Sequence, residues 1–219
     1  MTRHAPRWRT RALAAIVLTL GQGALAQGPA GPADTDAAVA PSAPPPEAIP
    51  ATPPAASPAP SAPPAAAEPG AWHTVTDPER AFTAELPAAP KYTATQMKTA
   101  TGSLYTVHQY LLEQGEVAFI VQFAVYPDDI NVANPRTNLQ GGLDNLAKSM
   151  DSAKWGSVDW VTHQGLTATD AVGLRSGHAI RSFSVMKGRQ IFTLIYAGAP
   201  GTARSSDVNR FVGSLRVGP

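Results

Sequence analysis

The chain has 219 residues, with 17 basic and 16 acidic side chains, five histidines and no cysteine. Without a thiol, disulfides, thiolate nucleophiles and thiolate metal centres are excluded, as is a lipid anchor built on an acylated cysteine. A formal charge of +1 gives no bulk electrostatic pull on nucleic acid or anionic lipid, and no nucleic-acid partner is expected.

Arg3, Arg7, Arg9 and Arg11 precede the apolar run Ala12–Leu20, and Ala24-Leu25-Ala26 supplies small residues at a cleavage point. A positive start, a short apolar stretch and an A-x-A site predict a secretory signal peptide over 1–26, cut after Ala26. The address is then periplasmic or secreted. Gly21, Gln22 and Gly23 interrupt the apolar stretch, which falls short of the roughly 20 residues a spanning helix needs. No stable membrane insertion is expected after cleavage. With the four arginines removed, the 17 basic residues fall to 13 against 16 acidic ones, a formal balance of −3.

Residues 27–70 hold 14 of the 22 prolines, interleaved with alanine, and only Asp34, Asp36, Glu47 and Glu68 as charges. Proline fixes φ and removes a donor, so helix and sheet are both denied. Little bulky apolar surface offsets the entropy of ordering, and the segment is predicted to be a disordered linker with polyproline-II bias. At about 3.1 Å per residue its reach is on the order of 130 Å.

The foldable pattern runs over 71–219, with Trp72 pinning its start. Ala81–Leu86 puts Phe82, Ala84 and Leu86 on one face of a strand closed by Pro87 and Pro90. Lys91–Thr99 is a threonine-rich strand, expected half-exposed. Ser103–Glu113 follows, with Gln114-Gly115 as the turn. Val117–Tyr126 is apolar on both faces, which predicts a central strand covered on both sides. Leu139, Leu143, Leu146 and Met150 recur at helical spacing, with Asp144, Asn145 and Lys148 off the stripe. Asn134-Pro135 fits an N-cap and first-turn proline. Gly141-Gly142 predicts a helix that bends or starts late. Strands resume at Ser157–His163, His178–Met186 and Gln190–Ala197, the last two joined by a tight link at Lys187-Gly188-Arg189. Ser205 caps a short helix bearing Val208, Phe211 and Val212, and Leu215–Val217 closes the domain. The order predicts an α+β fold, a mostly antiparallel sheet flanked by helices.

Residues able to carry chemistry are sparse. His108, His163 and His178 lie too far apart in sequence to match a local ligand pattern, and no metal site is expected. Asp128-Asp129 reads as a turn, since no loop with alternating acidic positions follows. Ser184-Val185-Met186-Lys187 matches S-x-x-K, but on a strand the serine and lysine diverge, whereas acylating serines need both at a helix start. No phosphate-cradling glycine loop or nucleophile elbow is present. Trp155 and Trp160, expected to bracket a turn near Gly156, are the candidate ligand or partner surface.

The stretches "DPERAFTAELPAAP", "AFIVQFAVYP", "RQIFTLIYAG" and "VNRFVGSLRV" together resemble the PsbP-like superfamily, in its branch of exported bacterial proteins. The resemblance spans nearly all of Ala71 to Val217 and rests on apolar strands, a proline after the first strand pair and a phenylalanine, Phe211, in the last helix. It implies an α-β-α sandwich. It implies no catalytic residue, because the superfamily shares none, and no cofactor or partner is carried over, because no matching motif is present here.

The expectation is an exported, non-enzymatic, monomeric interaction module with an envelope protein as partner. Two alternatives stand beside it. One is a small-ligand-binding periplasmic domain with Trp155 or Trp160 lining a cleft between sheet and helix. The other is a hydrolase using His108, His163 or His178 with a nearby acid.

Overall fold

A computed structural model describes residues 71–77, 79–99, 101–150 and 153–218. The expected signal peptide and Pro/Ala linker lie outside the described residues. Ten strands and two helices follow in the order β1 (His73–Asp77), β2 (Phe82–Leu86), β3 (Lys91–Lys98), β4 (Leu104–Gln114), β5 (Val117–Val125), α1 (Pro135–Ser149), β6 (Lys154–His163), β7 (Leu166–Arg175), β8 (His178–Lys187), β9 (Gln190–Gly198), α2 (Ser206–Gly213) and β10 (Arg216–Val217). Seven strands form one sheet in the order β3-β4-β5-β9-β8-β7-β6, and β1-β2-β10 form a second, small sheet. Every pairing is antiparallel. This is the α+β class expected.

The large sheet is the middle layer. On one face Phe119, Val121, Phe123, Phe192, Leu194 and Tyr196 pack against Phe82, Ala84 and Leu86 of the small sheet and against Val208, Phe211 and Leu215. On the other, Ile120, Ala124, Ile180, Ile191 and Ile195 meet Leu139, Leu146 and Met150 of α1. Strands β5 and β9 therefore bury both faces, which is why their sequences are apolar without alternation.

Helix α1 carries the chain from β5 across that face to the far edge strand, β6. The meander β6–β9 then walks back to pair with β5. Its cap is the expected one: Asn134 accepts from the Thr137 amide at 3.4 Å, with Pro135 in the first turn. The helix starts there and not late. Gly142 is buried, and the helix runs through it without interruption. Asn145 is also buried, at 5 % exposure, although its position off the leucine stripe led us to expect it at the surface.

Strand β7 is absent from the sequence reading. Its LTATDAVGLR is short of bulky apolar residues, but both of its ends carry two-residue turns. Gln164-Gly165 and Ser176-Gly177 have positive φ at both positions, the geometry that matches the twist of a hairpin. The β4–β5 turn falls one residue later than expected, at Gly115-Glu116, since Gln114 pairs with Val117. Ser205 caps α2, accepting from Val208 N at 3.4 Å, as expected.

Candidate interaction surface

The register of β3 on β4 sets Tyr92 opposite Tyr110 and Ala94 opposite His108. These side chains point toward the small-sheet layer, at its margin. There the turn after β1 supplies Asp77 and Arg80. The Asp77 carboxylate closes that turn by accepting from the Arg80 amide at 3.1 Å, and it also forms an ion pair with the Arg80 guanidinium. The Tyr110 hydroxyl donates to the second Asp77 oxygen at 2.6 Å. Arg80 reaches on to the Tyr92 hydroxyl, at 3.4 Å, and its guanidinium sits 5.8 Å from the centre of that ring. The Tyr92 hydroxyl lies 2.8 Å from His108 Nδ1. Behind this chain of contacts stand Tyr110, 5.1 Å ring to ring from Tyr92, and Phe82, 6.0 Å from Tyr110.

Electrostatics follow from that geometry. Burial alone would raise the Asp77 carboxyl, but hydrogen bonds from Tyr110 and Arg80 outweigh it and hold the group below its ordinary value. Tyr110 is pushed up by burial and by the Asp77 carboxylate it serves. His108 is pushed down, first by burial and then by the charge of Arg80. Among the described residues no carboxylate hydrogen-bonds His108; its partner is a phenol, whose other neighbour is a guanidinium. The arrangement lacks the base–acid pairing of a hydrolytic site. What it does is fix an aromatic ring in place while leaving it 46 % exposed.

Tyr92 also belongs to an open sheet edge. β3 is terminal in the large sheet, and all its residues except Met97 are exposed. It lies at the rim of both covering layers, with Met97 packed on the α1-side core and Tyr92 against Arg80 and Tyr110, and is more exposed than the half-covered strand expected. The eight residues pair with β4 in unbroken register. Thr99 donates to Ser103 at 2.9 Å, so by antiparallel alternation Lys91, Thr93, Thr95 and Met97 turn their amides to β4. Tyr92, Ala94, Gln96 and Lys98 turn theirs outward. The opposite edge, β6, is built differently: its register breaks by a bulge between Trp155 and Ser157, a device that blunts edge pairing.

Trp155 and Trp160 lie on that bulged edge. They do not bracket a turn; both are within β6 and Gly156 is part of the bulge. Both are partly buried against the α1 side of the core. Trp155 donates its indole N–H to the Leu143 carbonyl at 3.3 Å, and Arg136 stacks over Trp160 at 5.2 Å. His163 contacts the Leu215 carbonyl at 3.1 Å, while His178 opens β8 opposite Arg175. The three histidines of the hydrolase alternative are therefore on separate strands and are not brought together. Ser184 is buried beside Thr193, 3.0 Å away, while Lys187 donates to the Gly218 carbonyl at 2.7 Å. Strand alternation puts these two side chains on opposite faces, as expected. Asp129 accepts from Thr99 at 3.2 Å and from Thr101, and Asp128 pairs with Arg189.

A polar row crosses the sheet on the α1 side. Thr169 stands between Trp160 and Ser184 in the cross-strand register, and Thr193 continues the row. Asn145 Nδ2, Thr169 Oγ1 and Ser182 Oγ are buried there and find no hydrogen-bond partner among the described residues.

Tyr92, Arg80, Asp77 and Tyr110 were not singled out in the sequence. Their only local signal is the Asp77-to-Arg80 turn, and bringing them together needs the β3–β4 register.

No protein-family model matches the chain, and no curated protein does. Among solved structures, the chain is similar to the cyanobacterial PsbP protein (CyanoP) of Synechocystis sp. PCC 6803, at 11% identity and a TM-score of 0.47. That match covers 68% of this chain and 93% of CyanoP. It is also similar to a protein of unknown function from Pseudomonas aeruginosa, at 12% identity and a TM-score of 0.33, covering 61% of this chain and 87% of that one.

Proposed function

We propose that this chain is an exported, non-enzymatic interaction module of the cell envelope, in the exported bacterial branch of PsbP-like proteins. Its folded part meets a protein partner through the β3–β4 surface. The observation that carries the reading is Tyr92, a solvent-open aromatic held by Arg80 and His108 on an uncovered sheet edge. Fixed aromatics flanked by a guanidinium are the residue types that anchor protein interfaces. Export and cleavage after Ala26 rest on the arginine-led N-terminus. Among the described residues no helix is long and apolar enough to cross a membrane.

A photo-reactive phenylalanine analogue placed at position 92 of the full chain in cells tests this. Position 161, on the Trp155–Trp160 edge, serves as the second arm. A discrete adduct from 92 alone supports the reading; one from 161 alone moves the surface to β6, and none from either removes the interaction module.

The buried polar row supports a second reading, in which a small polar ligand sits beneath α1 beside Trp160 and Thr169. Asn145 Nδ2, Thr169 Oγ1 and Ser182 Oγ would be its partners. A shift in tryptophan fluorescence on adding a ligand pool, lost in Thr169→Val, would favour it. An unchanged spectrum across such a pool would remove it.

A further inference from the structure

Resting on the β3–β4 surface just proposed, we infer that β3 takes an added strand from its partner. The recognised segment is extended and about eight residues long, with a carboxylate at each end. The inference joins three observations. The first is the backbone. Tyr92, Ala94, Gln96 and Lys98 present amides and carbonyls to the open side of a strand with no internal proline and no bulge. Such a row is a template for main-chain pairing. The other edge of the same sheet carries a bulge between Trp155 and Ser157, so the two edges are not equivalent.

The second is charge. β3 begins at Lys91 and ends at Lys98, both exposed, with no acidic residue between them. Arg80 adds a third cation beside Tyr92, although Asp77 pairs with it. At the Lys98 end Asp129 is close, but its carboxylate is held by Thr99 and Thr101. Two lysines seven residues apart project from opposite faces of the strand. A segment of the same length with acidic ends, lying antiparallel, places one carboxylate across from each.

The third weighs against the simplest alternative. A second copy of this chain pairing β3 with β3 would bring two further lysines and no carboxylate to the seam. Like charge gathered along one seam opposes pairing, so the edge disfavours its own copy and favours an acidic strand. Tyr92, projecting beside the docked segment, supplies its apolar contact.

The test uses the full chain and two labelled peptides, Glu-Val-Thr-Val-Thr-Val-Thr-Glu and the same sequence with lysine at both ends. Binding is read by fluorescence anisotropy, and amide exchange is read over 91–98. The expected result is binding of the acidic peptide only, with slowed exchange at Tyr92, Ala94, Gln96 and Lys98. Lys91→Glu with Lys98→Glu reverses two favourable cross-strand pairs, and the acidic peptide is expected to weaken about tenfold while the lysine peptide gains. Ala94→Pro, at an outward amide, abolishes binding with the β3–β4 ladder kept; the charge-reversal pair covers the case in which that variant misfolds.

Equal binding of both peptides overturns the acidic segment. Binding without protection over 91–98 overturns strand addition, and so does a dimer through β3 in sedimentation. If neither peptide binds while the adduct from position 92 persists, the strand inference fails and the interaction surface stands. Loss of both the adduct and peptide binding ends the two together.

Discussion

Arg181 lays two nitrogens on the two oxygens of Asp170, each at 2.8 Å, from an arginine only 6 % exposed. The same guanidinium donates to Asn209 Oδ1 at 2.7 Å and to the Ala203 carbonyl at 3.3 Å. One cation therefore ties β7 and β8 to the loop that leads into α2 and to α2 itself. Breaking a buried pair from one side leaves a charge without its partner, at a cost of about 3–5 kcal/mol. Asp170→Asn is expected to lower the urea midpoint accordingly. Arg181→Met with Asp170→Leu should cost less than the sum of the single changes, since the double change leaves no orphaned charge. Additive losses in equilibrium unfolding would show that the pair is not coupled.

Asp77, at the end of β1, makes an acid-sensitive contact with Tyr110 and Arg80. Its carboxyl is held below its ordinary value of 3.8 in the fold, so it contributes stability above about pH 4. That contribution is lost as pH falls through the folded value. In Asp77→Asn the acid limb of the urea midpoint against pH should flatten below about pH 4. A limb of unchanged steepness would remove the Tyr110 and Arg80 bonds as its cause.

Two histidines act in a higher window. His108 is lowered by burial and Arg80, and His163 by burial and Arg216 against the pull of the Leu215 carbonyl. Both bind protons more weakly folded than unfolded, so their stabilisation is complete above the ordinary 6.5 and declines as pH drops through the folded values. By proton NMR the His108 midpoint should lie below 6.5, and Arg80→Gln should raise it. A midpoint above 6.5 would contradict the placement of the guanidinium beside it.

Gly173 sits where β7 passes under the bulge of β6. A Cβ there would stand 2.4 Å from the Lys154 carbonyl and 2.9 Å from Trp155 Cε3. Gly173→Ala is expected to cost about 1–3 kcal/mol, as overpacking does, and to shift Trp155 emission. Gly156→Ala, whose Cβ meets only the Val172 carbonyl at 3.7 Å, should be nearly neutral on packing. Equal costs would move the strain away from the Trp155–Gly173 crossing.

The layers were legible in the sequence wherever burial leaves a periodic mark. Phe82, Ala84 and Leu86 alternate because β2 has one covered face. Val117–Val125 does not alternate because β5 has two. The caps at Asn134 and Ser205 announced both helices, as local chemistry should. β7 escaped because its inward residues are alanine and threonine, whose burial is imposed by neighbours and not by their own hydrophobicity. Asn145 escaped because a polar side chain at a buried helix position looks like an exposed one. The Tyr92 surface escaped for a topological reason: Asp77, Tyr92 and Tyr110 become neighbours only after three strands have found their register.

The last two-residue strand, β10, pairs with β2 through Arg216 and Thr83, and Ser214 Oγ accepts from the Glu85 amide at 2.8 Å across 129 residues of sequence. The small sheet thus joins segments more than 120 residues apart in sequence. Closing so long a loop costs chain entropy before the contact repays it, so β2 keeps one side unpaired until the β10 segment arrives, and the layer over Phe119, Phe123 and Phe192 is sealed by the least local contact in the fold described.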